Sequence, residues 1–364
     1  MRRLFAILCL LLLPASATAD ALRVAFFATE LGRKGPGLLL RDIARGDDPQ
    51  AEAAAAIIAE VAPDVLVLSG IDYDHDLLAL SALADRIAAA GGGAYPHLFA
   101  LPPNAGMATG LDLDGDGRLG EADDAQGWGR FAGAGALAIL SRLPVDRDNV
   151  VDHSHMLWAD LPGSLIDGAD LSEAAQAVQR LSSHGHWQVP LHLPGGGRIA
   201  LLVWQATPPV FDGPEDRNGR RNRDEAALWL RLLDGALGPA PSPPLVVIGN
   251  ANLDPEDGEG RRDALHALLS DPRLQDPMPA SAGGAAAAGQ GGANATHRGD
   301  PARDTVDWGD DPGPGNLRVA YILPSADLTI RDAGIFWPAP DDPMAEAVAR
   351  ASRHRLVWVD LALP

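Results

Sequence analysis

Residues 112-DLDGDGRLGEAD-123 place aspartates at the first, third and fifth positions of a twelve-residue segment, glycine at the sixth and aspartate at the twelfth. Such spacing lets short carboxylates converge on one hard cation while the glycine permits the sharp turn. Asp112, Asp114, Asp116 and Asp123 are therefore candidate Ca²⁺ ligands. Aspartate closes such a loop more weakly than glutamate, and no flanking helices are evident, so an acidic hairpin tip is the alternative. If real, the site would be structural. A second acidic stretch, 246-VVIGNANLDPEDG-258, starts as a buried strand and ends in a turn. That is the form of a metal- or phosphate-handling loop, with Asn250 standing where such a loop wants an acid.

Arg217, Arg220, Arg221 and Arg223 cluster in 207-TPPVFDGPEDRNGRRNRDE-225, just before an expected helix. Guanidinium groups beside a helix amino end suit a phosphate or carboxylate ligand. The alternative is internal pairing with Asp212, Glu215, Asp216 and Asp224. The pairs His153/His155 and His184/His186 could each put two rings on one strand face, as a transition metal would need, but neither has a third ligand nearby in sequence. His186, directly before Trp187, fits a packing position at a strand start. There is no P-loop, no H-E-x-x-H and no G-x-S-x-G.

The elements that must position these residues follow from periodicity. Strands are expected at 22–28, 64–69, 136–141, 186–193, 198–205, 244–249, 317–323 and 354–361. Helices are expected at 49–62, 75–90 and 222–237, the last with an acidic first turn. Strands outnumber helices and several neighbours are joined by hairpin-length loops, which predicts two packed mixed sheets with helices outside. The Ala/Gly-rich stretch 279–296 lacks apolar bulk and is expected to be a flexible surface loop.

Composition narrows the setting. Arg2 and Arg3 precede an apolar run from Leu4 to Leu13, followed by Pro14 and Ala17-Thr18-Ala19. This reads as a secretory signal peptide spanning 1–19, with residues 20–364 as one exported domain, secreted or periplasmic. The apolar run is too short for a permanent span. Cys9 is the only cysteine and lies in the leader, which excludes disulfides, thiolate metal sites and a cysteine nucleophile from the mature chain. The 29 Lys and Arg face 49 Asp and Glu, a formal net charge of −20, and removing Arg2 and Arg3 makes it two units more negative. Such a surface repels nucleic acid and anionic membranes unless divalent cations intervene.

The segments LRVAFFATEL, PDVLVLSGIDYD, TPPVFDGPEDRNG, VVIGNANLDPEDG, GPGNLRVAYILPSADL and SRHRLVWVDL occur in one order across nearly the whole mature chain. In that order they resemble the endonuclease/exonuclease/phosphatase family, whose members are DNase I-like metal-dependent phosphoesterases. The resemblance is closest to a secreted bacterial branch. It implies a four-layer α/β sandwich and a divalent metal with an activated water. It also implies particular residues at the strand ends, and most are replaced. Ala28 stands for an Asn supporting metal and phosphate, and Gly70 for the metal-binding Glu. Gln205 stands for a phosphate-contacting His, and Asn250 for the Asp that orients the nucleophile. Ala320 and Arg353 each stand for an Asp. Asn252 and His354 are retained.

Gly70 removes a ligand outright, Arg353 puts a fixed cation where a carboxylate belongs, and Asn250 cannot take a proton from water. The expected reading is a pseudoenzyme with a binding or structural role, its catalytic Mg²⁺ or Mn²⁺ site lost. A phosphate-containing or protein ligand is one possible partner. One alternative is an active phosphoesterase rebuilt from Glu30, Asp72, Asn252 and His354. Another is a calcium-stabilised extracellular binding module.

Overall fold

The computed structural model describes residues 21–363, so the expected leader 1–19 lies outside the described residues. In chain order the strands are β1 (Ala21–Ala28), β2 (Val65–Ile71), β3 (His97–Phe99), β4 (Ala136–Ser141), β5 (Val151–Asp152), β6 (Gly185–His192) and β7 (Arg198–Gln205). They continue with β8 (Leu245–Asn250), β9 (Val306–Asp307), β10 (Asn316–Leu317), β11 (Ala320–Pro324), β12 (Ile330–Phe336) and β13 (Leu356–Ala362). The helices are α1 (Leu38–Arg45), α2 (Pro49–Val61), α3 (Leu78–Ala89), α4 (Glu173–Gln176), α5 (Arg217–Leu233), α6 (Asp263–Leu269), α7 (Ala282–Ala287) and α8 (Ala345–Ala351).

One sheet runs in the order β12-β13-β1-β2-β4-β3 and the other β11-β8-β7-β6-β5. Only β1 with β2 and β7 with β8 pair in parallel, so both sheets are mixed, as the sequence predicts. Alternation along the strands explains the layers. Leu22, Val24 and Phe26 of β1 point to the inter-sheet core with Val189, Leu201 and Ile248. Ala25 and Phe27, on the opposite face, meet Ile57 and Ile58 of α2 and Leu83 of α3. On the far side of the second sheet, Leu202 and Trp204 pack against Leu228 and Trp229 of α5. The result is the four-layer α/β sandwich.

α2 begins where Asp48 accepts a hydrogen bond from Ala51 N and Pro49 occupies the first turn, the expected start signals. Among the elements that escape the periodicity reading are the short helices α1, α6 and α8, and β12, whose IRDAGIF sequence carries two exposed charges. The expected strand 317–323 is split, because Arg318 and Val319 leave the ladder between β10 and β11. The stretch 279–296 is not the structureless loop expected. It forms α7 and two 3₁₀ turns, and Gly283 lies so close to Trp337 and Pro338 that a Cβ there would sit 2.2 Å from the indole. Its small residues allow close backbone approach instead of flexibility.

Candidate functional site

The strand register gathers the six substituted positions. Parallel pairing sets Gln205 beside Asn250, and antiparallel pairing sets Asn250 beside Ala320, so the three adjoin at one edge of the second sheet. In the first sheet Ala28 lies beside Ser69, one residue before Gly70. Ala28 and Ala320 both belong to the inter-sheet core, which joins the two edges. Ser352 Oγ donates to Ala28 O at 2.8 Å, drawing Arg353 and His354 to the same place.

Where the resemblance implies metal ligands, the side chains present are absent, neutral or already engaged. Gly70 has φ +73°, and a Cβ there would stand 2.9 Å from Glu30 N and 3.3 Å from Glu30 Cα. Glu30, itself left-handed at φ 52°, thus lays its backbone over the place a side chain at 70 would fill. The Glu30 carboxylate accepts from Ser352 Oγ at 3.0 Å, Arg353 N at 2.8 Å and Arg353 Nε at 2.9 Å, with Arg353 Nη2 closing the clasp. Burial works to raise its pKa, but the Arg353 bonds and the charges of His354 and Arg353 outweigh it and hold it below the ordinary value.

Asn250 Nδ2 donates to Asn252 Oδ1 at 3.0 Å, and Asn252 N donates to Asn250 Oδ1 at 2.8 Å. Asn252 Nδ2 donates in turn to Ala206 O at 2.8 Å. Both amides thus serve the turn that follows β8. Asp72 is equally engaged, accepting from Arg33 N at 2.8 Å and Gly135 N at 3.3 Å. His354 is buried, its ring edge-on to Trp308 at 5.7 Å, and its Nδ1 meets no partner among the described residues.

Burial above all pushes the His354 pKa down to about 4; Glu30 pulls it up, and the cations Arg353 and Arg355, each weaker than Glu30, add to the lowering. A histidine depressed in the fold resists the proton that the unfolded chain accepts. Stability is therefore whole above pH ~6.5 and falls as pH drops toward 4. Chemical unfolding at pH 7 and pH 4.5 should show His354→Gln losing less stability on acidification than wild type; equal losses would contradict the assignment.

Beside these positions opens a cleft of about 750 Å³, lined by Gln205, His184, Asn252 and Arg217 and flanked by Trp128 and Phe211. The two aromatics are 60 % and 89 % exposed, unusual for rings of this size. Arg217 and Arg221 line it too, but their donors are largely occupied. Arg221, 8 % exposed, donates to the carbonyls of Leu181, Gln126, Arg180 and Ser182. Arg217 donates to Ala169 O and Leu113 O, and Arg220 to Glu215 O. Arg217, Arg220 and Arg221 fasten loops through main-chain carbonyls, while Arg223 pairs with Asp224 at 2.9 Å, the internal pairing that the sequence offers beside an anion site. The reason is that α5 starts at Arg217, five residues before the expected 222, and its inward face carries Arg221.

A polar chain runs from α5 to the cleft. Glu225 accepts from Ser183 N at 2.6 Å, Ser183 Oγ at 2.8 Å and Thr207 N at 2.6 Å. Ser183 Oγ lies 3.1 Å from His184 Nδ1, and Gln205 Nε2 lies 3.2 Å from His184 Nε2. Burial pushes Glu225 up to about 7 and His184 down to about 4. Glu225 was read as part of an acidic helix start. Its spacing of four from Arg221 and from Trp229 already set it on the buried stripe. His186 packs between Trp204 and Trp229, at 5.8 and 5.2 Å, as expected of a packing position.

Asp112, Asp114 and Asp116 bring oxygens within 4.8 Å of one another. Asp123 does not join them: it is exposed and lines the cleft. Its neighbour Asp124 faces inward and accepts from Leu113 N at 2.8 Å, which turns Asp123 the other way. Glu121 stands nearer the trio; desolvation and then the Asp116 charge push its pKa up.

A family model described as the Endonuclease/Exonuclease/phosphatase family matches residues 33–354. No curated protein matches the sequence significantly. Among solved structures, an endonuclease/exonuclease/phosphatase from Beutenbergia cavernae DSM 12333 is similar at 17 % identity and TM-score 0.55, over 94 % of this chain and 72 % of that one. A family protein from Leptotrichia buccalis C-1013-b is similar at 13 % identity and TM-score 0.51, over 94 % and 100 %. A mannosyl-6-phosphatase from Bacteroides thetaiotaomicron VPI-5482 is similar at 13 % identity and TM-score 0.50, again over 94 % and 100 %. At these identities the likeness is one of fold. No described helix is long and apolar enough to cross a membrane.

Proposed function

Because the chain belongs to the endonuclease/exonuclease/phosphatase family, we propose that it is an exported, catalytically impaired member whose role is binding or structural. The observation that carries this reading is the Glu30–Arg353 clasp over Gly70. A hard divalent cation needs several oxygen ligands, usually with at least one carboxylate free to hold it. Here the position of the implied glutamate has no side chain, and the nearest carboxylate is neutralised by a guanidinium. The rebuilt-enzyme alternative draws on Glu30, Asp72, Asn252 and His354. Three of these spend their polar atoms on internal partners, and His354 is buried and held neutral. The binding face in this reading is the cleft behind Trp128 and Phe211, and an uncharged or phosphate-containing small molecule or a protein loop could enter it. Turnover of nucleic acid or a generic phosphodiester with Mg²⁺, Mn²⁺ or Ca²⁺ that disappears in Asn252→Ala or His354→Ala would overturn the impaired reading. The leader at 1–19 supports export to the periplasm or beyond.

The Asp112, Asp114 and Asp116 trio favours a second element of the reading, a structural Ca²⁺ at 112–123. The residues fit a hard cation, since all three are carboxylates and Gly117 turns the loop. Two acceptors are partly occupied: Asp112 accepts from Gly115 N and Gly117 N at 2.7 and 2.8 Å, an arrangement that shapes the loop before any ion enters. Calorimetric titration should give one Ca²⁺ per chain and a higher melting temperature, both lost in Asp112→Ala. Absence of heat and of any melting shift in wild type would end the calcium assignment.

A further inference from the structure

A second pocket, about 550 Å³, lies between the turn at Asp254, helix α6 and the segment 299–304, and shares no lining residue with the cleft. We propose that this pocket binds an alkylammonium ligand, with the carboxylate of Asp304 as its counter-ion. The inference is independent of whether the strand-end site retains catalysis.

Asp304 is 8 % exposed and lines the pocket. No described donor reaches its carboxyl group. The charges that act on it are those of Asp254, Asp257 and Asp300, all of its own sign. Burial first, and then these three carboxylates, push its pKa up to about 8. A carboxylate taken out of water without a donor or cation must hold a proton or find a cation elsewhere.

The cations in the pocket wall are already matched. Arg318 donates to Asp276 at 2.9 and 2.5 Å, and Arg303 Nε lies 3.4 Å from Asp300 Oδ2. The neighbouring acids are satisfied by main-chain donors. Asp254 accepts from Glu256 N, Asp257 N and Arg318 N, and Asp257 from Arg298 N and Gly299 N. Glu256, also in the wall, is exposed to water; among the described residues Asp304 is the buried acid of this group left with neither.

A metal ion fits poorly. Among the described residues the carboxylate trio within 4.8 Å is at 112–116, not here, and the oxygens of Asp254 and Asp257 are engaged. An ammonium group needs only one carboxylate and two or three acceptors around it. Leu269, Met278 and Pro255 supply an apolar wall for methylene groups, in a volume suited to a short aliphatic chain. A free diamine and a lysine side chain share this chemistry.

The test is calorimetric titration of the whole protein with cadaverine, with Nα-acetyl-lysine methylamide, with pentanol and with Mg²⁺ at matched ionic strength. Either amine should bind, pentanol should not, and the tighter amine names the source. Asp304→Asn, close in shape, should weaken amine binding at least tenfold. Asp304 titrates near 8 in the fold and near 4 in the unfolded chain, so the wild type loses stability as pH rises between those values, and Asp304→Asn should lose less. That melting comparison at pH 6 and pH 8.5 also shows that the variant folds. In the wild type itself, amine affinity should rise several-fold from pH 6 to pH 8.5, as Asp304 sheds its proton while the amine stays charged. No amine binding, unchanged affinity in Asp304→Asn, a flat pH profile or tighter binding of Mg²⁺ would each overturn the proposal.

Discussion

The mature protein incubated with nucleic acid or a generic phosphodiester and Mg²⁺, Mn²⁺ or Ca²⁺ is expected to show no turnover, and Asn250→Asp alone should leave it silent. A single lost stabilising group costs about 3 kcal/mol, on the order of a hundredfold in rate, and further losses from the same unit deepen this without being additive. Asn250→Asp would restore a carboxylate, but its neighbour Asn252 donates N–H to that position at 2.8 Å and no metal ligand returns with it. Gly70→Glu is blocked in a different way. Its Cβ would meet Glu30 N at 2.9 Å with φ at +73°, so strain of about 1–3 kcal/mol should lower the melting temperature before any metal is gained. Arg353→Asp would release Glu30, so only a combined set that also moves residue 30 could admit a metal. Turnover by wild type that vanishes in Asn252→Ala or His354→Ala would sink the impaired reading.

Arg221→Ala should be the most damaging single substitution to stability, by about 3–5 kcal/mol in urea unfolding. The guanidinium donates to four main-chain carbonyls from the 126 and 180–182 segments and faces the Glu225 charge at the buried wall of the cleft. Removing it strands those acceptors and leaves a buried acid without its cation. The same segments carry Ser183, His184 and Ala125 to the cleft, so the loss should also loosen the ligand face. A change below about 1 kcal/mol would mean water replaces the guanidinium at little cost. Glu225→Gln should be milder and pH-dependent. The Glu225 pKa, near 7 in the fold against 4.5 ordinarily, makes wild type lose stability as pH rises through that window. The Gln variant should show a flatter profile between pH 5 and pH 8.

Much of the fold was legible because strand burial leaves a direct trace. The runs at 64–69, 136–141 and 244–249 are buried on both faces and read as continuous apolar letters, and each is a central strand. β12 left no such trace because it lies at the sheet edge with Arg331 and Asp332 exposed. The helices α1, α6 and α8 are seven or eight residues long, too short for a period to show. At the site, the six replaced positions and the two retained ones could be named from sequence, because ordered motifs resembling a family point to individual letters.

What the letters could not carry was how the vacated space is filled. Glu30 and Arg353 are separated by more than three hundred residues, and only the closing of β1 against β13 makes them a pair that covers Gly70. For the arginines at 217–221 the sequence offers an anion site or pairing with nearby acids, because charge is visible in a sequence while main-chain carbonyls are not. Asp304 drew no notice among 49 acidic residues, since an acid becomes exceptional only when burial removes its water and its neighbours share its sign. Sequence alone determined the family, the layers and the strand-end positions where the resemblance implies other residues. The tertiary structure decided which remaining charges are paired, because pairing depends on distances that the order of residues does not state.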